Sequence, residues 1–464
     1  MKYNILHLKN IDRFLFTPVN PSSLILFRFF FGAFSGWYAF YELSTNAVFP
    51  QYIATNFYFT FSLFDVLHLP FLPPQALYTL FKIMGVSACC IALGIFYRIA
   101  LITFFLSFGY IFLLDKTYFN NHYYLILLIT FLLFFMNAHH GASIDALRNP
   151  KLSNKPIQFW NIMLLRAQFC IVYFFAGITK IGKDYLDGRQ MHIWLNEEGL
   201  IPFLQPYASS EWVQGLFIIG SILTDIALPF LLCYKPTRTC AIVLAIIFHL
   251  TNQWLFHIGI FHYLMIAALV LFVEPDEPYR LWVQIKNLLL RKPYDVSRPN
   301  LTEDYTEASG INKTLIKIFI GIYLMVQLLL PFRPLIYPGN VNWTREGHRF
   351  SWRLKANITT GGLSLAVIDP ATGEIVPATP FDDINPEQYL VMSYTPDMIL
   401  QYVHFLKKKL ESQGIKNPII KIDGRISLNG RPFHPQINKD VNLAEKKYKL
   451  FQTADWLMPP PPDL

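Results

Sequence analysis

The stretch that decides the fold is Phe169 to Gly188, FCIVYFFAGITKIGKDYLDG, an apolar run that ends in polar residues. Its first half predicts a helix buried in hydrocarbon, and its second half brings Lys180 and Lys183 to the edge of that layer. A lysine at this edge has two interpretations. Its stem can lie along lipid while the ammonium reaches water, or the amine can be kept neutral by desolvation and act as a base.

The composition of the whole chain indicates a membrane protein. Of 464 residues, 53% are hydrophobic and only 15% are charged, which is too apolar for a soluble domain of this size. The net charge is +8, but the basic residues are scattered among apolar segments instead of forming a patch with aromatics, so no nucleic-acid partner is expected. The five cysteines lie in or beside apolar segments without metal-ligand spacing, so no metal site is expected either.

Nine apolar segments are candidate transmembrane helices, and the lysines and arginines between them set the orientation. With a cytoplasmic N-terminus, the inside segments hold fifteen such residues and the outside loops hold four: Lys116, Lys180, Lys183 and Arg189. The pattern predicts a multi-pass protein whose C-terminal region faces the periplasm or lumen. The predicted spans are 22–44, 75–97, 98–114, 122–138, 159–179, 212–234, 239–255, 259–273 and 314–335.

Composition divides the chain into a transmembrane domain, residues 1–336, and a polar domain, residues 337–464. The second domain is predicted to be a small α+β unit outside the membrane. We expect strands over 349–358, 362–369 and the run from Ile419, a turn at 369–373, and a helix opened by Thr395, Pro396 and Asp397 that runs to Gly414.

The loop between the first two spans, residues 45–74, is rich in Phe and Tyr and free of Lys and Arg. It predicts either a segment that covers a membrane-embedded site or an ordinary aromatic belt at the interface.

Polar side chains inside the spans are costly and are therefore candidates for function. Arg166, Tyr173 and Lys180 are spaced seven apart, so they share one face of the fifth span. That face rises toward the outside at Lys180. Three further embedded charges are more typical of structural ion pairs: Arg28, Lys82 and Asp225.

Two other polar clusters occur at the same depth as Lys180. Asn121 and His122 begin the fourth span, and His249 and Asn252 lie one turn apart on the seventh. A base requires a free amine, which apolar walls favour and a neighbouring carboxylate such as Asp184 would disfavour. His122 could stabilise developing negative charge. These residues predict base chemistry that is accessible from lipid and faces outside.

Three stretches carry a resemblance to a known family: LLDKTYFNNHYY at 113–124, VYFFAGITKIGKDYLDG at 172–188, and FHLTNQWLFHIGIFHY at 248–263. They resemble vitamin K-dependent γ-glutamyl carboxylases and their bacterial relatives, the horizontally transferred transmembrane (HTTM) domain proteins. The likeness continues, in the same order, through FRFFFG at 27–32, FYRIA at 96–100, REGHRFSW at 345–352 and PDMILQY at 396–402.

The resemblance implies γ-carboxylation of peptide glutamate, coupled to oxidation of vitamin K hydroquinone to the epoxide with O2 and CO2 and without a metal. It implies that Lys180 is the catalytic base and that His122 assists it. It further implies that Asn121, His249 and Asn252 line the quinone pocket, where Tyr173 shares the face of Lys180, and that His348 and Trp352 handle the glutamyl peptide. His348 stands where the family has a tyrosine.

Three alternatives to this function remain. A quinone epoxidase without carboxylation would need Lys180 but no peptide site. A membrane-anchored binding protein would be indifferent to the loss of Lys180, because its embedded histidines would only pack. A transporter would move a solute without any quinone, but the chain has no internal repeat.

Overall fold

The fold is that of a computed structural model, which describes residues 8–153, 155–196, 205–256, 259–290, 310–449, 451–452, 454–462 and 464. The inside loop at 291–309, which holds three of the basic residues used to predict orientation, lies outside the described residues. The described chain is mainly helical, with a four-stranded sheet near the C-terminus and a two-stranded pairing of Pro18–Val19 with Ile157–Gln158.

Each of the nine apolar segments forms a helix, and we label these helices α1 to α9. Within the described ranges, seven are long and apolar enough to cross a membrane, whereas α4 and α8 are shorter. The predicted class, a polytopic α-helical membrane protein, is confirmed. The helices are α1 Ser22–Ser44, α2 Pro74–Leu93, α3 Tyr97–Leu114, α4 Asn121–Phe135, α5 Trp160–Ile178, α6 Glu211–Cys233, α7 Arg238–Phe256, α8 Phe261–Leu271 and α9 Gly310–Leu329.

Arg28 on α1 is buried at the end of the bundle opposite the C-terminal domain. Its guanidinium donates hydrogen bonds to the backbone oxygens of Ala92, Ala138 and Ala142, at 3.1, 3.1 and 2.8 Å. The prediction of an ion pair for Arg28 is therefore wrong. Its guanidinium binds backbone carbonyls at loop and helix ends, which have no partner within a helix, instead of a carboxylate. Lys82, the second embedded cation, is exposed on α2.

The polar C-terminal region forms a four-stranded antiparallel sheet with two helices against it. We label the strands β1 Thr359–Ile368, β2 Ile375–Val376, β3 Ile419–Leu428 and β4 His434–Pro435, and the order across the sheet is β2-β1-β3-β4. Helix α10 spans Pro386–Met392 and α11 spans Pro396–Ser412. The predicted turn at 369–373, the helix opened by Pro396 and the strand from Ile419 are confirmed.

The strand predicted over 349–358 is wrong. This segment is irregular, and Phe350, Trp352 and Lys355 have φ of 64°, 54° and 50°. Three residues in the left-handed region interrupt the extended backbone that a strand requires. The apolar residues that alternate in this segment pack against the membrane helices and do not belong to a sheet.

The aromatic loop at 45–74 attaches the C-terminal domain to the membrane helices. Phe59 is fully buried in the core of that domain, and Phe57 packs against the same core. The Gln388 side chain donates hydrogen bonds to Phe57 O and Asp115 Oδ2, at 2.8 and 2.7 Å. The loop is thus neither a cover over the site described below nor a simple aromatic belt.

The described parts of all loops that are predicted to lie outside contact the C-terminal domain. These contacts are all on one side of the bundle. Contacts join Thr60 to Gln401, Lys116 to Asp397 and Asp184 to Arg431. The relative sidedness of the loops therefore agrees with the lysine and arginine pattern.

Candidate active site between the membrane helices

An apolar cavity of about 400 Å³ lies between α5, α6 and α7 at the end of the bundle nearest the C-terminal domain. Part of its wall consists of exposed apolar side chains on the outer surface of the helices, including Leu216, Leu244 and Ile247. Because those side chains would face lipid, the cavity is accessible from the hydrocarbon layer. Its wall also contains a few polar groups, among them Lys180 and Asp225.

Lys180 is buried in an ion pair with Asp225 in the wall of this cavity. The Nζ to Oδ2 distance is 2.7 Å, and the two residues are 7% and 4% exposed. α5 ends at Ile178, and Lys180 continues the last turn through a hydrogen bond from its N–H to Gly177 O. The two groups are held together without contact with bulk water, so simple snorkelling does not describe this lysine.

Gly177 explains how Asp225 reaches the lysine. A Cβ on Gly177 would lie 2.6 Å from Cγ1 of Ile226 and 3.1 Å from Cβ of Asp225. Only a residue without a side chain allows α5 and α6 to approach this closely. The small pair Ala176 and Gly177 in the sequence therefore positions the carboxylate.

The sequence predicts a free, neutral amine at Lys180, but the structure places a carboxylate beside it. Opposite charge at this distance favours the ammonium form in the resting protein. The carboxylate named in the sequence prediction, Asp184, instead accepts hydrogen bonds from Arg431 at 2.6 and 2.8 Å and from Asn429 at 2.7 Å. From the sequence, Asp225 is classed as a structural ion-pair partner; the signal for it is a single acidic residue inside the apolar helix α6.

Tyr173, His249 and Asn252 also line the cavity. The Tyr173 hydroxyl and His249 Nε2 lie 2.5 Å apart, and both residues are buried. Three of the four residues predicted for quinone binding thus share one cavity with Lys180. Arg166, on the same helical face, lies at the opposite end and donates to the backbone oxygens of Leu271 and Val273.

His122 and Asn121 lie beside this cavity and not in its wall. The ring of His122 is 5.9 Å from that of Phe261, which does line the cavity. The Asn121 side chain donates to Arg353 O at 3.2 Å and so fixes the irregular segment above the helices. One aromatic ring separates His122 from the space around Lys180.

His348 borders a different cavity, of about 430 Å³, beneath the C-terminal domain. Burial and the charges of Arg345 and Arg349 hold the pKa of His348 well below its usual value, so the imidazole is neutral at pH 7. Trp352 is fully buried and stacks on Tyr124 with ring centroids 5.0 Å apart. Neither residue lies in the cavity of Lys180.

A third cavity, of about 320 Å³, shares Lys180 and Tyr185 with the apolar one and is more polar. Its wall includes Asn342 and Arg353, and Leu464 also borders it. No sequence motif indicates Arg353, since its position depends on the irregular path of the chain. Within the described residues, no group of three or more His, Cys, Asp or Glu side chains could hold a metal ion.

The segment from Arg345 to Ala356 borders all three cavities, and we call it the connecting segment. Arg345 to Phe350 border the cavity of His348, Leu354 and Lys355 border the apolar cavity, and Arg353 and Ala356 border the polar one. Four of its non-glycine residues, Arg345, Phe350, Trp352 and Lys355, have left-handed backbone, so an irregular segment joins the three cavities.

The fold and this site define a polytopic membrane protein with a buried ion pair in a lipid-accessible cavity. A family model described as the HTTM domain matches residues 16–276, more than half of the chain. A second, described as the lumenal domain of vitamin K-dependent gamma-carboxylase, matches residues 312–462. The chain belongs to the gamma-carboxylase family of HTTM-domain proteins, which supports a carboxylase-type enzyme in a lipid bilayer. No solved structure matches this chain.

Proposed function

We propose that this protein carboxylates peptide glutamate to γ-carboxyglutamate and couples the reaction to oxidation of vitamin K hydroquinone to the epoxide. The observation that carries the proposal is the buried Lys180–Asp225 pair in the wall of an apolar cavity accessible from lipid. Family membership adds the reaction class. Lys180, His122 and the quinone-pocket residues keep the roles that the resemblance gave them as predictions.

The apolar cavity fits a prenylated hydroquinone. Its volume of about 400 Å³ lies within the range of roughly 300–1,000 Å³ for small-molecule sites, and its wall is mainly apolar with a few polar groups. Tyr173, His249 and Asn252 would hold the polar edge of the ring, and the rim of α6 and α7 would contact the tail. A ligand that arrives through lipid needs no aqueous entrance.

The ion pair can act as a base although Lys180 is charged at rest. Lys180 and Asp225 together carry no net charge: transfer of one Nζ proton to the Asp225 carboxylate, 2.7 Å away, frees the amine, and the amine then accepts one proton from an acidic O–H placed beside it. The pair then becomes a cation, which stabilises the oxyanion that remains. His122, one ring away, would support negative charge from the other side. Burial keeps water from competing for the proton.

When bound, the hydroquinone reacts with O2 and supplies the strong base that removes a γ-proton from glutamate, after which the carbanion attacks CO2. The residues of this chain bind, orient and exclude water. We propose that the peptide approaches from the C-terminal domain, residues 337–464, on the periplasmic or lumenal side of a transmembrane domain, residues 1–336, whose N-terminus is cytoplasmic. His348 would contact the peptide, and Trp352 would hold the connecting segment in place.

Reconstitution into lipid vesicles tests the proposal. Wild type, Lys180→Ala and Lys82→Ala are supplied with vitamin K hydroquinone, O2, labelled CO2 and a glutamyl peptide. We expect label in the peptide and epoxide with wild type and Lys82→Ala, and a loss of at least about 100-fold in both with Lys180→Ala. Lys82 is the matched control because it is a lysine of a membrane helix that borders none of the three cavities.

Each other result selects another function. Epoxide without labelled peptide from wild type would identify a quinone epoxidase. If wild type forms neither product, the function that remains is that of a membrane-anchored binding protein. Solute flux without quinone would indicate a transporter. Full activity in Lys180→Ala would remove Lys180 from the reaction.

A further inference from the structure

Lys180 lies in the common wall of two cavities with opposite character. The apolar cavity opens toward lipid, whereas the second cavity is bordered by polar residues of the outer loops and the connecting segment. Tyr185 is the other residue in both walls, and its hydroxyl is hydrogen-bonded to Ser221 at 2.8 Å. A group in the polar cavity can therefore reach the ion pair without crossing the apolar one.

Arg353 is the half-buried cation of the polar cavity, whereas Lys183, which also borders it, is exposed. Its guanidinium donates to Asn342 Oδ1 at 2.7 Å, and its backbone oxygen accepts from Asn121. In the ranges that the structure describes, no carboxylate forms an ion pair with Arg353. Burial lowers the pKa of Arg353 to about 10, with a smaller effect from Arg345, so the guanidinium is still charged at pH 7.

The acid of this cavity is already occupied. Asp184 accepts hydrogen bonds from Arg431 and Asn429, and although its burial opposes ionisation, these bonds hold its pKa below the ordinary value. Asp184 therefore does not neutralise Arg353. A planar, part-buried guanidinium with one amide partner is suited to bind a carboxylate through two N–H groups.

The cavity of His348 is less suited to this task. Two of the five lysines and arginines in its wall, Lys116 and Arg349, bind Asp397, at 3.2 and 2.9 Å, and Arg345 lies over the ring of Tyr394; the other two are Arg333 and Lys447. Its described wall also has no residue in common with the cavity of Lys180. A carboxylate bound there would not be beside the ion pair.

We propose that the polar cavity binds the γ-carboxylate of the substrate's glutamate through Arg353, on the side of Lys180 opposite the hydroquinone. The inference rests on the proposed function, which names a glutamyl peptide as the substrate, and it adds the residue that selects glutamate. Asn342 positions the guanidinium. A glutamine in place of the glutamate is neutral and would leave the positive charge of Arg353 uncompensated.

Direct binding measures this selection without any turnover. Full-length protein in lipid nanodiscs is titrated with a fluorescent peptide that contains one glutamate, and with its glutamine counterpart. We expect wild type to prefer the glutamate peptide at least tenfold and Arg353→Gln to lose that preference, with unchanged affinity for the glutamine peptide. Arg189→Gln, which removes an exposed arginine of the outer loop between α5 and α6, should keep it.

Two further variants separate a binding role from a structural one. Arg353→Lys should restore part of the preference. Asn342→Asp should reduce the preference although the arginine remains, because the new carboxylate competes with the substrate. In turnover, Arg353→Gln should raise the KM for the glutamyl peptide at least tenfold, and Arg189→Gln should leave that KM unchanged.

The inference fails if Arg353→Gln and Asn342→Asp both keep the wild-type preference. It also fails if His348→Gln abolishes the preference while Arg353→Gln does not, because the carboxylate would then bind in the other cavity. Both results leave the proposed function intact. Absence of carboxylated product from wild type would instead overturn the proposed function, and a missing preference in wild type would remove the basis for Arg353.

Discussion

Three acid–base contacts of this protein differ in their surroundings more than in their distances. Lys180 and Asp225 are 2.7 Å apart inside the membrane bundle, with side chains 8% and 5% exposed. Asp397 lies beneath the C-terminal domain, bound by Lys116 and Arg349. Asp455 and Lys446 are also 2.7 Å apart, but the aspartate is 67% exposed.

The comparison shows that the surroundings decide what an ion pair does. An exposed pair contributes little, because water screens it. A buried pair costs desolvation, and removal of one partner leaves a charge that nothing solvates. In the contact under the C-terminal domain, Asp397 is bound by two cations, so its charge is fixed. The pair of Lys180 and Asp225 has no third charged member in the described chain and lines a cavity, so a bound ligand can change the number of protons on the pair.

Asp225→Asn should give the largest effect, because it leaves Lys180 buried without its counter-charge. We expect a loss of about 3–5 kcal/mol in the free energy of unfolding and, with it, loss of epoxide formation. The double variant Lys180→Met with Asp225→Leu should recover most of the stability without activity. Thermal unfolding in detergent and epoxide assays measure both; a double variant as unstable as Asp225→Asn would contradict the argument.

Glu346→Gln should give the next largest effect, visible as a change in pH dependence. Burial and the nearby charge of Asp397 raise the pKa of Glu346 to about 7, and its Oε2 is buried without a partner in the described protein. The protonated form is favoured in the folded state, so this contribution is full below the unfolded pKa of about 4.3 and is lost as pH rises through about 7.

We therefore expect the stability of wild type to fall by about 2 kcal/mol between pH 5 and 8 relative to Glu346→Gln. Unfolding temperatures of the two proteins, measured in parallel across this range, provide the test. Parallel curves would show that Glu346 ionises normally.

Asp397→Asn should cost about 1–2 kcal/mol, since each cation keeps some access to water. Burial alone would raise the pKa of Asp397, but the charges of Arg349 and Lys116 outweigh it and hold the pKa well below its usual range. The stabilisation is present above the unfolded pKa of about 3.9 and is lost as pH falls through the lower folded value. The difference between wild type and variant should thus be constant from pH 8 to 5; a difference that disappears at pH 6 would contradict it.

Asp455→Asn should give the smallest effect. The pair with Lys446 is exposed, so we expect a change within about 0.5 kcal/mol at physiological salt. Unfolding temperatures at low and high ionic strength would measure it. A change as large as that of Asp397→Asn would mean that exposure does not determine the energy of these contacts.

Much of the fold follows from the sequence because hydrocarbon imposes one rule on every span. Length and hydropathy placed all nine helices within a few residues, even the short α4 and α8. The segment at 349–358 could not be predicted, because its path depends on contacts with Tyr124 and other residues far away in sequence. Aromatic and apolar alternation is the same whether a chain pairs in a sheet or packs irregularly on helices.

The site was predictable where one helix carries the signal. Spacing by seven put Tyr173 and Lys180 in one cavity, and spacing by three did so for His249 and Asn252. The partner of Lys180 was not predictable, since the close approach of α5 and α6 at Gly177 selects Asp225. Arg353 was hidden for the same reason, because no local pattern places it beside a lysine 173 positions earlier.

The aromatic loop at 45–74 is synthesised long before the residues that cover it in the folded protein. Phe59 becomes buried only in a core that the last hundred residues complete, and Thr60 bonds Gln401, 341 positions later. At about 5–20 residues per second, ribosomes need roughly 20–70 s to supply that partner. During this interval Phe57 and Phe59 lack the apolar core that covers them in the folded protein, so they are exposed at the membrane surface until the C-terminal domain is made.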